Sequence, residues 1–250
     1  GGARYNTSYI QGVGLGSITD SLASIKYNVF DKKKLSMNEL LIALKNNFSG
    51  QKELHDKLLF ETPKYGNDDD YADSITKDVF EIYFKAVDGH PNTRGGYFRI
   101  NLLPTTSHVY FGSVTCATPD GRLAFEPLSE GISPVQGADI HGPTSVIKSA
   151  SKIDHLRTGG TLLNQKFTPQ LLETDDGILK AVQLIRTYFR LDGHHIQFNV
   201  VTAETLREAQ KHPEKYRDLI VRVAGYSDYF VDLSESLQNE IIRRTEHSDL

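Results

Sequence analysis

The chain has 250 residues, of which 38% are hydrophobic and 24% are charged, a balance that is ordinary for a globular protein with a substantial core. The formal net charge is −4 with basic and acidic residues interspersed, which argues against a nucleic-acid-binding surface or a basic membrane-surface patch. No apolar run approaches the roughly 20 residues that a membrane-spanning helix needs.

Two features of the composition bear on the cellular location of the protein and on the extent of the chain. There is a single cysteine, Cys116, which excludes an intrachain disulfide and a thiolate metal cluster and predicts a reducing, cytoplasmic location. The chain begins at Gly1 and its one methionine is Met37. We therefore expect it to be a piece of a longer protein or a processed product.

Three helices are predicted in the first ninety residues: one from about Ser17, one opened by a capping box of Ser36 and Glu39, and one within residues 67–87. The acidic residues 68–70 at the start of the third helix complement the positive end of its dipole. Apolar residues at helical spacing are expected to face the core. They are Ile18, Leu22, Ile25 and Val29 in the first helix, Leu40, Leu41 and Leu44 in the second, and Ile75, Val79, Ile82 and Ala86 in the third.

The centre of the chain, from about residue 95 to 167, shows short apolar runs, turn dipeptides and many small residues. This pattern predicts strands with long functional loops, plus one helix near "GPTSVIKSASKIDHL". A further helix, in "DDGILKAVQLIRTYFRLDGHH", is expected to end at Gly193 as its C-terminal cap. Its aligned apolar residues are Ile178, Val182, Ile185 and Phe189.

The last sixty residues continue the alternation of strands and helices. "HIQFNVV" predicts a strand in which Ile196, Phe198 and Val200 alternate with Gln197 and Asn199. Two short helices ("TAETLREAQ" and "PEKYRDL") and a strand ("LIVRVAG") follow. A final helix is predicted from about Asp232, where Asp232 and Glu235 have the spacing of a capping box, with a buried stripe of Phe230, Leu233, Leu237 and Ile241. Helices alternating with strands indicate an α/β fold.

Several patterns suggest a binding site but lack an essential part of one. "GVGLGS" has neither the G-x-G-x-x-G spacing directly after a strand nor the Lys–Ser/Thr ending of a phosphate loop, so it predicts a close-packed loop before a helix. "DDD" lacks the glycine and glutamate of a calcium loop. His194 and His195 are adjacent, so in a strand they point to opposite faces and cannot share a metal. His108 is ambiguous between a structural and a functional role.

Gly225 ends the hydrophobic run "LIVRVAG" and precedes an aromatic-rich turn. In isolation it reads as a turn residue, but the surrounding stretch, "VRVAGYSDYFVDLSESLQNEIIRRTEH", resembles the glycyl radical motif of the glycyl radical enzymes. The resemblance extends over more than twenty positions. It includes the Arg-Val-Ala-Gly-Tyr-Ser core, the following Phe and Leu, and then Gln238, Ile241, Ile242, Arg244 and Thr245.

The resemblance covers essentially the whole chain. "LLPTTSHVYFG", "PDGR", "SEGISP", "GPTSVIKS", "GGTLLNQKF" and "DGHHIQFNV" are similar to the C-terminal third of the dehydratase branch of that family. Within the branch, "ARYNTSYIQGVG", "YNVFDKKK" and "KYGNDDDYAD" look most like the members that act on trans-4-hydroxy-L-proline.

The resemblance implies a fold and a division into domains. The fold would be the C-terminal portion of a ten-stranded α/β barrel, with Gly225 on a loop reaching into its centre and a C-terminal helix behind it. Residues 1–130 would be the C-terminal part of the pyruvate formate-lyase-like barrel domain, and residues 131–250 the glycine radical domain.

The resemblance also implies the chemistry. A radical would be stored on Gly225 after a partner activase, using S-adenosylmethionine and an iron–sulfur cluster, removes one hydrogen, so the chain itself would bind no cofactor and no metal. Only glycine suits this role, because a β-carbon clashes with a planar Cα and offers other hydrogens to lose. The Thr105 hydroxyl would contact substrate, and loss of water from hydroxyproline would leave a pyrroline carboxylate.

The chain departs from the family pattern in one respect. The family's thiyl cysteine lies in a Gly-Cys-Val/Ile-Glu motif, which this sequence lacks, and Cys116 is followed by alanine and threonine. The cysteine, the general base and most of the substrate pocket are therefore expected upstream or on another chain. We expect this chain to be inactive alone and the complete enzyme to form a homodimer.

Other readings of the sequence stay open. One is a different glycyl radical eliminase, such as a propanediol or glycerol dehydratase or choline trimethylamine-lyase. Another is a non-catalytic spare carrier of the glycyl radical, which the length of the chain disfavours. The last is an α/β binding domain in which Gly225 is only a turn residue.

Overall fold

Parallel strands and helices make up the part of the chain that the structure, a computed structural model, describes, which is residues 3–248. The α-helices are α1 (Leu15–Ser24, continued by a π-helix, Ile25–Asp31), α2 (Met37–Lys45), α3 (Lys52–Phe60), α4 (Asp70–Val87), α5 (Ser107–Ser113), α6 (Gly142–Ala150), α7 (Asp175–Arg190), α8 (Ala203–Lys211) and α9 (Glu235–Arg243). The strands are β1 (Ser8–Gln11), β2 (Phe98–Asn101), β3 (Leu163–Phe167), β4 (Ile196–Val200), β5 (Ile220–Arg222), β6 (Ser227–Tyr229) and β7 (Glu246–His247).

Most of the strand pairs are parallel. β1 pairs with β2, and β3 lies between β4 and β7, with all of these pairs parallel. A parallel bridge from Leu102 to Thr161 continues β2 onto the residues before β3. β5 and β6 form an antiparallel hairpin. Helices α6 and α7 separate strands that run in the same direction, as in an α/β fold, so the predicted class is confirmed. Closure into ten strands and the domain boundary at residue 130 stay predictions.

Of the two capping boxes that the sequence predicts, one is present in the structure. The Ser36 hydroxyl accepts from the Glu39 amide, and the Glu39 carboxylate accepts from the Ser36 amide, so the predicted capping box is confirmed. The predicted capping box at Asp232 is wrong, because α9 begins at Glu235 after Ser234 and Asp232 lies in a 3₁₀ turn. The expected helix in "PEKYRDL" is a single 3₁₀ turn, Pro213–Lys215.

Helix α5 was not predicted. Its sequence, "SHVYFGS", is rich in aromatic and β-branched residues, which favour strands. In the folded chain it packs closely through Gly112, which is buried where a β-carbon would overlap the carbonyl oxygen of Glu126.

The buried stripes predicted for three helices are only partly correct. Ile25, Val29 and Val79 pack against apolar clusters, as predicted, but other members of the stripes lie outward. Ile18, Ile82 and Ile178 are 44%, 68% and 48% exposed. The faces that lie inward combine small or polar residues with large apolar ones. The buried faces are Leu15, Thr19 and Ala23 in α1, Ala72, Thr76 and Phe80 in α4, and Gly177, Leu184 and Tyr188 in α7.

The C-terminal end of α7 differs in detail from the expected glycine cap. The residue in the left-handed conformation is Asp192, with φ 63°, and the Gly193 amide donates to the Tyr188 carbonyl. Gly193 is required by space, because a β-carbon there would overlap the Tyr188 ring.

Two apolar clusters position the elements that matter for the site. One lies between β2, β3 and helices α4, α6 and α7. The other joins helices α8 and α9 to the β5–β6 hairpin through Val221, Val223, Phe230, Leu237 and Ile241. The stripe predicted for the last helix is therefore confirmed at Phe230, Leu237 and Ile241. No helix within residues 3–248 combines the length and apolar character needed to cross a membrane.

Candidate functional site

Gly225 lies at the tip of the β5–β6 hairpin. The Val223 amide donates to the Tyr226 carbonyl (2.9 Å), which leaves Ala224 and Gly225 as the two residues of the turn. The φ of Gly225 is 83°, in the left-handed region that L residues avoid. Gly225 is exposed, and a β-carbon built on it would meet only the Leu103 side chain, at 3.6 Å. The backbone conformation, rather than a lack of space, therefore favours glycine here.

A buried glutamine holds the tip from below. The Gly225 amide donates to Oε1 of Gln197 (3.1 Å), and the same oxygen accepts from Nε and Nη2 of Arg222 (3.2 and 2.9 Å). Gln197 is only 4% exposed. Its own amide group donates to Oδ1 of Asn164, whose Nδ2 donates to Glu130. A line of side-chain hydrogen bonds thus runs from the hairpin tip into the interior.

This arrangement depends on strand β4 burying its polar face. Gln197 and Asn199 are buried, whereas Val200 is 45% exposed, the reverse of what alternation alone suggests. Asn199 pairs with the backbone of Arg222 in both directions, accepting from its amide (2.7 Å) and donating to its carbonyl (2.8 Å). Strand β5 is therefore joined to the edge of β4 by side-chain amides.

A cluster of charged side chains lies under the hairpin. Nη2 of Arg244 donates to the Val223 carbonyl (2.9 Å) and to Oε2 of Glu240 (2.8 Å). Nε2 of His108, which is fully buried, lies 3.4 Å from Oε1 of Glu240. The hairpin backbone is thus tied to a buried ion pair on α9.

The two buried glutamates of this cluster differ in their acidity. Burial alone would raise the pKa of Glu240, but the opposing effects of Arg244 and His108 are larger together and hold its pKa below the ordinary range. For Glu130 burial dominates, and its pKa is raised despite Arg244 and His108. Glu240 is therefore the ionised partner of Arg244, while Glu130 resists ionisation.

Thr105 lies in the loop that faces the hairpin. The side chain of Leu103, two residues earlier, lies 3.6 Å from a β-carbon built on Gly225. Thr105 is exposed and has a φ of 53°, which is rare for a β-branched residue, and its hydroxyl donates to the Pro104 carbonyl (2.7 Å). The fold thus places Leu103 beside the Gly225 tip, with Thr105 two residues further along the same loop.

The remaining candidates have structural surroundings. Asp69 caps α4, and Lys152 reaches Asp70 at 3.0 Å. The His194 ring lies tilted beside that of the buried His155 (5.9 Å between ring centroids), and Cys116 is exposed. Within residues 3–248, no group of three or more His, Cys, Asp or Glu side chains is arranged to hold a metal ion.

Sequence reasoning missed the residues that hold the tip. Gln197 was assigned to the polar alternation of a strand, and Asn164 and Glu130 were not singled out. The available signal was the run of polar residues in "LLNQKF" and "HIQFNVV", because amides on otherwise apolar strands are retained where they have buried partners.

Comparisons with known proteins match most of the chain to two family models. A family model described as pyruvate formate lyase-like matches residues 1–112, and one described as glycine radical matches residues 128–231. The chain is 58% identical over 248 residues to trans-4-hydroxy-L-proline dehydratase of Clostridioides difficile and 47% identical over 245 residues to isethionate sulfite-lyase of Oleidesulfovibrio alaskensis. These alignments cover 99% and 97% of this chain, and 31% and 29% of the relatives.

Solved structures give the same result. The crystal structure of the hydroxyproline dehydratase from Clostridioides difficile, with trans-4-hydroxy-L-proline bound, superposes with a TM-score of 0.97 over 99% of this chain and 31% of that one. The glycerol-bound B12-independent glycerol dehydratase from Clostridium butyricum is 48% identical, with a TM-score of 0.94 over 99% of this chain and 32% of that one. The chain spans about a third of the length of these relatives. With both matched segments and the whole of its described fold in common with them, the chain belongs to the glycyl radical enzyme family.

Proposed function

We propose that this chain is the radical-storing portion of a glycyl radical lyase, and that the full-length protein dehydrates trans-4-hydroxy-L-proline to a pyrroline carboxylate. The observation that carries the proposal is 58% identity, over 99% of this chain, to a dehydratase of that substrate. The reaction removes one water with no net change of oxidation state, so it consumes no oxidant. In the proposed radical route, the stored radical only initiates the reaction.

We propose Gly225 as the site of the stored radical. Two observations support this role: the backbone conformation at this position favours glycine, and Gly225 lies within the segment that matches the glycine radical family model. A partner activase would remove one hydrogen atom, and the radical left on Cα would be delocalised over the two neighbouring peptide groups. No metal or organic cofactor on this chain is needed to store it.

The rest of the catalytic machinery is proposed to lie upstream in the full-length protein. The thiyl cysteine would take a hydrogen atom from the substrate, a glutamate would assist the departure of water, and the thiol would return the hydrogen atom to the product radical. Exposed apolar side chains on α1, α4 and α7, such as Ile18, Ile82 and Ile178, support the presence of a further packed segment.

Thr105 is proposed to contact substrate in this pocket. Two observations support it: Leu103, two residues earlier, lies beside the Gly225 tip, and the φ of Thr105 is strained. Strained residues of this kind cost about 1–3 kcal/mol and cluster at functional sites.

Electron paramagnetic resonance tests the proposal directly. We expect a glycine-centred signal in the full-length protein after anaerobic incubation with a radical S-adenosylmethionine activase, and its loss in Gly225→Ala. Admission of air should cleave the chain near residue 225. An activated protein without a signal or cleavage would mean that Gly225 is only a turn residue.

A second eliminase activity is supported by the other relatives, since an isethionate sulfite-lyase and a glycerol dehydratase are 47% and 48% identical to this chain. A panel of hydroxyproline, isethionate, glycerol, propanediol and choline separates these substrates. Turnover of another member of the panel without turnover of hydroxyproline would replace the substrate and leave the radical chemistry in place.

A further inference from the structure

The hairpin tip has an anchoring arrangement that its role as a turn does not require. A two-residue turn is completed by its own backbone, here by the bond from the Val223 amide to the Tyr226 carbonyl. The Gly225 amide makes an additional bond, to Oε1 of Gln197 (3.1 Å). Glycine is the residue with the greatest conformational freedom, so this bond restricts the part of the hairpin that would otherwise move most.

Gln197 is itself held in place. Ile196 and Phe198 on either side pack against the apolar core. The carboxamide is buried, and its nitrogen donates to Asn164 and lies 3.4 Å from the Val223 carbonyl. The carboxamide therefore cannot rotate by half a turn without losing the hydrogen-bond partners of both its nitrogen and its oxygen.

The Oε1 atom of Gln197 accepts three hydrogens at once. Besides the Gly225 amide, Nε and Nη2 of Arg222 donate to it, and a third nitrogen of Arg222, Nη1, donates to the Ser227 hydroxyl (3.0 Å). Arg222 and Ser227 are register partners on the two strands of the hairpin. The Oε1 atom of Gln197 on β4 thus holds the hairpin tip directly, and holds both strands of the hairpin through Arg222.

We propose that Gln197 is a positioning residue for the radical reaction. It holds the Cα of Gly225 at a fixed position relative to the group to which the radical is transferred. This inference rests on the proposed role of Gly225. The physical reason is that transfer of a hydrogen atom needs the two reacting atoms in close, fixed geometry, and a displacement of about 1 Å can cost roughly a hundredfold in rate. Gln197 acts through the backbone amide and touches no reacting atom.

The test compares Gln197→Met with Gln165→Met in the full-length protein. Methionine has nearly the volume of glutamine and cannot hydrogen-bond strongly. Gln165 is a matched control, because it is equally buried at 4% exposure, lies on the neighbouring strand β3 opposite Phe198, and donates to the Pro143 carbonyl instead of the hairpin.

The first measurement needs no activation. We expect hydrogen exchange in the peptide spanning residues 221–228 to be at least about tenfold faster in Gln197→Met, because the bonds from the Gly225 amide and from Arg222 are lost together, and unchanged in Gln165→Met. An unchanged exchange rate in Gln197→Met would overturn the proposal.

The second measurement follows turnover after activation. We expect kcat per unpaired spin to fall about tenfold in Gln197→Met with KM unchanged, since substrate contacts are intact. A parallel loss of spin and turnover would show a structural role only and would overturn the proposal. A normal kcat per spin would overturn it as well, while leaving the proposed function in place; absence of spin in the unsubstituted protein would reject the proposed function itself.

Discussion

The ion pair between Glu240 and Arg244 is expected to hold the hairpin in place. Glu240 and Arg244 are 1% and 8% exposed, and two hydrogen bonds join them, at 2.8 and 3.1 Å. Arg244 also donates to the carbonyl of Val223, directly before the turn (2.9 Å). We therefore expect Glu240→Gln, which keeps the shape of the side chain and removes its charge, to loosen α9 and the hairpin together.

The size of the effect follows from burial. Removing one partner of a buried ion pair costs about 3–5 kcal/mol, because the other charge stays buried without compensation. Without the charge of Glu240, the nearby Glu130 would ionise more readily beside Arg244 and supply part of the compensation, so we expect the lower end of the range. A loss of about 3 kcal/mol corresponds to opening that is roughly a hundredfold more frequent.

Hydrogen exchange of the amides in α9 and residues 219–230 of the full-length protein measures this opening. Glu53→Gln is the control, since Glu53 forms a solvent-exposed pair with Lys57 on α3 (2.8 Å), and no change is expected there. If Glu240→Gln accelerated exchange less than fivefold, the buried pair would not be what holds the hairpin, and the argument from burial would be wrong.

Three further predictions concern single positions. Gly225→Ala should destabilise the hairpin by about 1–2 kcal/mol because its φ is 83°, and Gly89→Ala, at φ 79° with open space around it, should carry a similar cost yet keep the radical signal. Burial raises the pKa of Asp20 to about 7, so the folded state retains a proton that the unfolded chain releases near pH 4. Thermal stability should therefore fall as the pH rises from about 4 to 7, and Asp20→Asn should make that slope shallower, with the rest due to other buried carboxyls such as Glu130. Gly112→Ala should lower stability by about 1–3 kcal/mol in thermal denaturation, because its β-carbon would overlap the backbone of Glu126, and an unchanged melting temperature would show that this loop yields.

Local chemistry in the sequence predicted several features correctly. The capping box of Ser36 and Glu39 depends only on residues three apart, and it is present in the structure. The class of the fold followed from the alternation of helices and strands, and the family followed from a motif of more than twenty positions around Gly225. These signals are contained within one segment of the chain, so no knowledge of its neighbours is needed to read them.

Which face of an element is buried could not be read in the same way. Hydrophobic spacing placed Ile82 inward in α4, but it is 68% exposed, while Thr76 is fully buried. Spacing fixes which residues share a face, whereas the neighbouring elements determine which face is covered, and small residues are favoured where helices approach closely.

The polar interior beneath Gly225 was the least predictable part. Gln197 is buried because Asn164, 33 residues away, and the hairpin, 28 residues away, supply its hydrogen-bond partners. The sequence by itself determined the motif, the fold class and the identity of the turn glycine. Only the tertiary structure decided that the amide face of β4 points inward, since burying a polar group is favourable only where distant segments provide its partners.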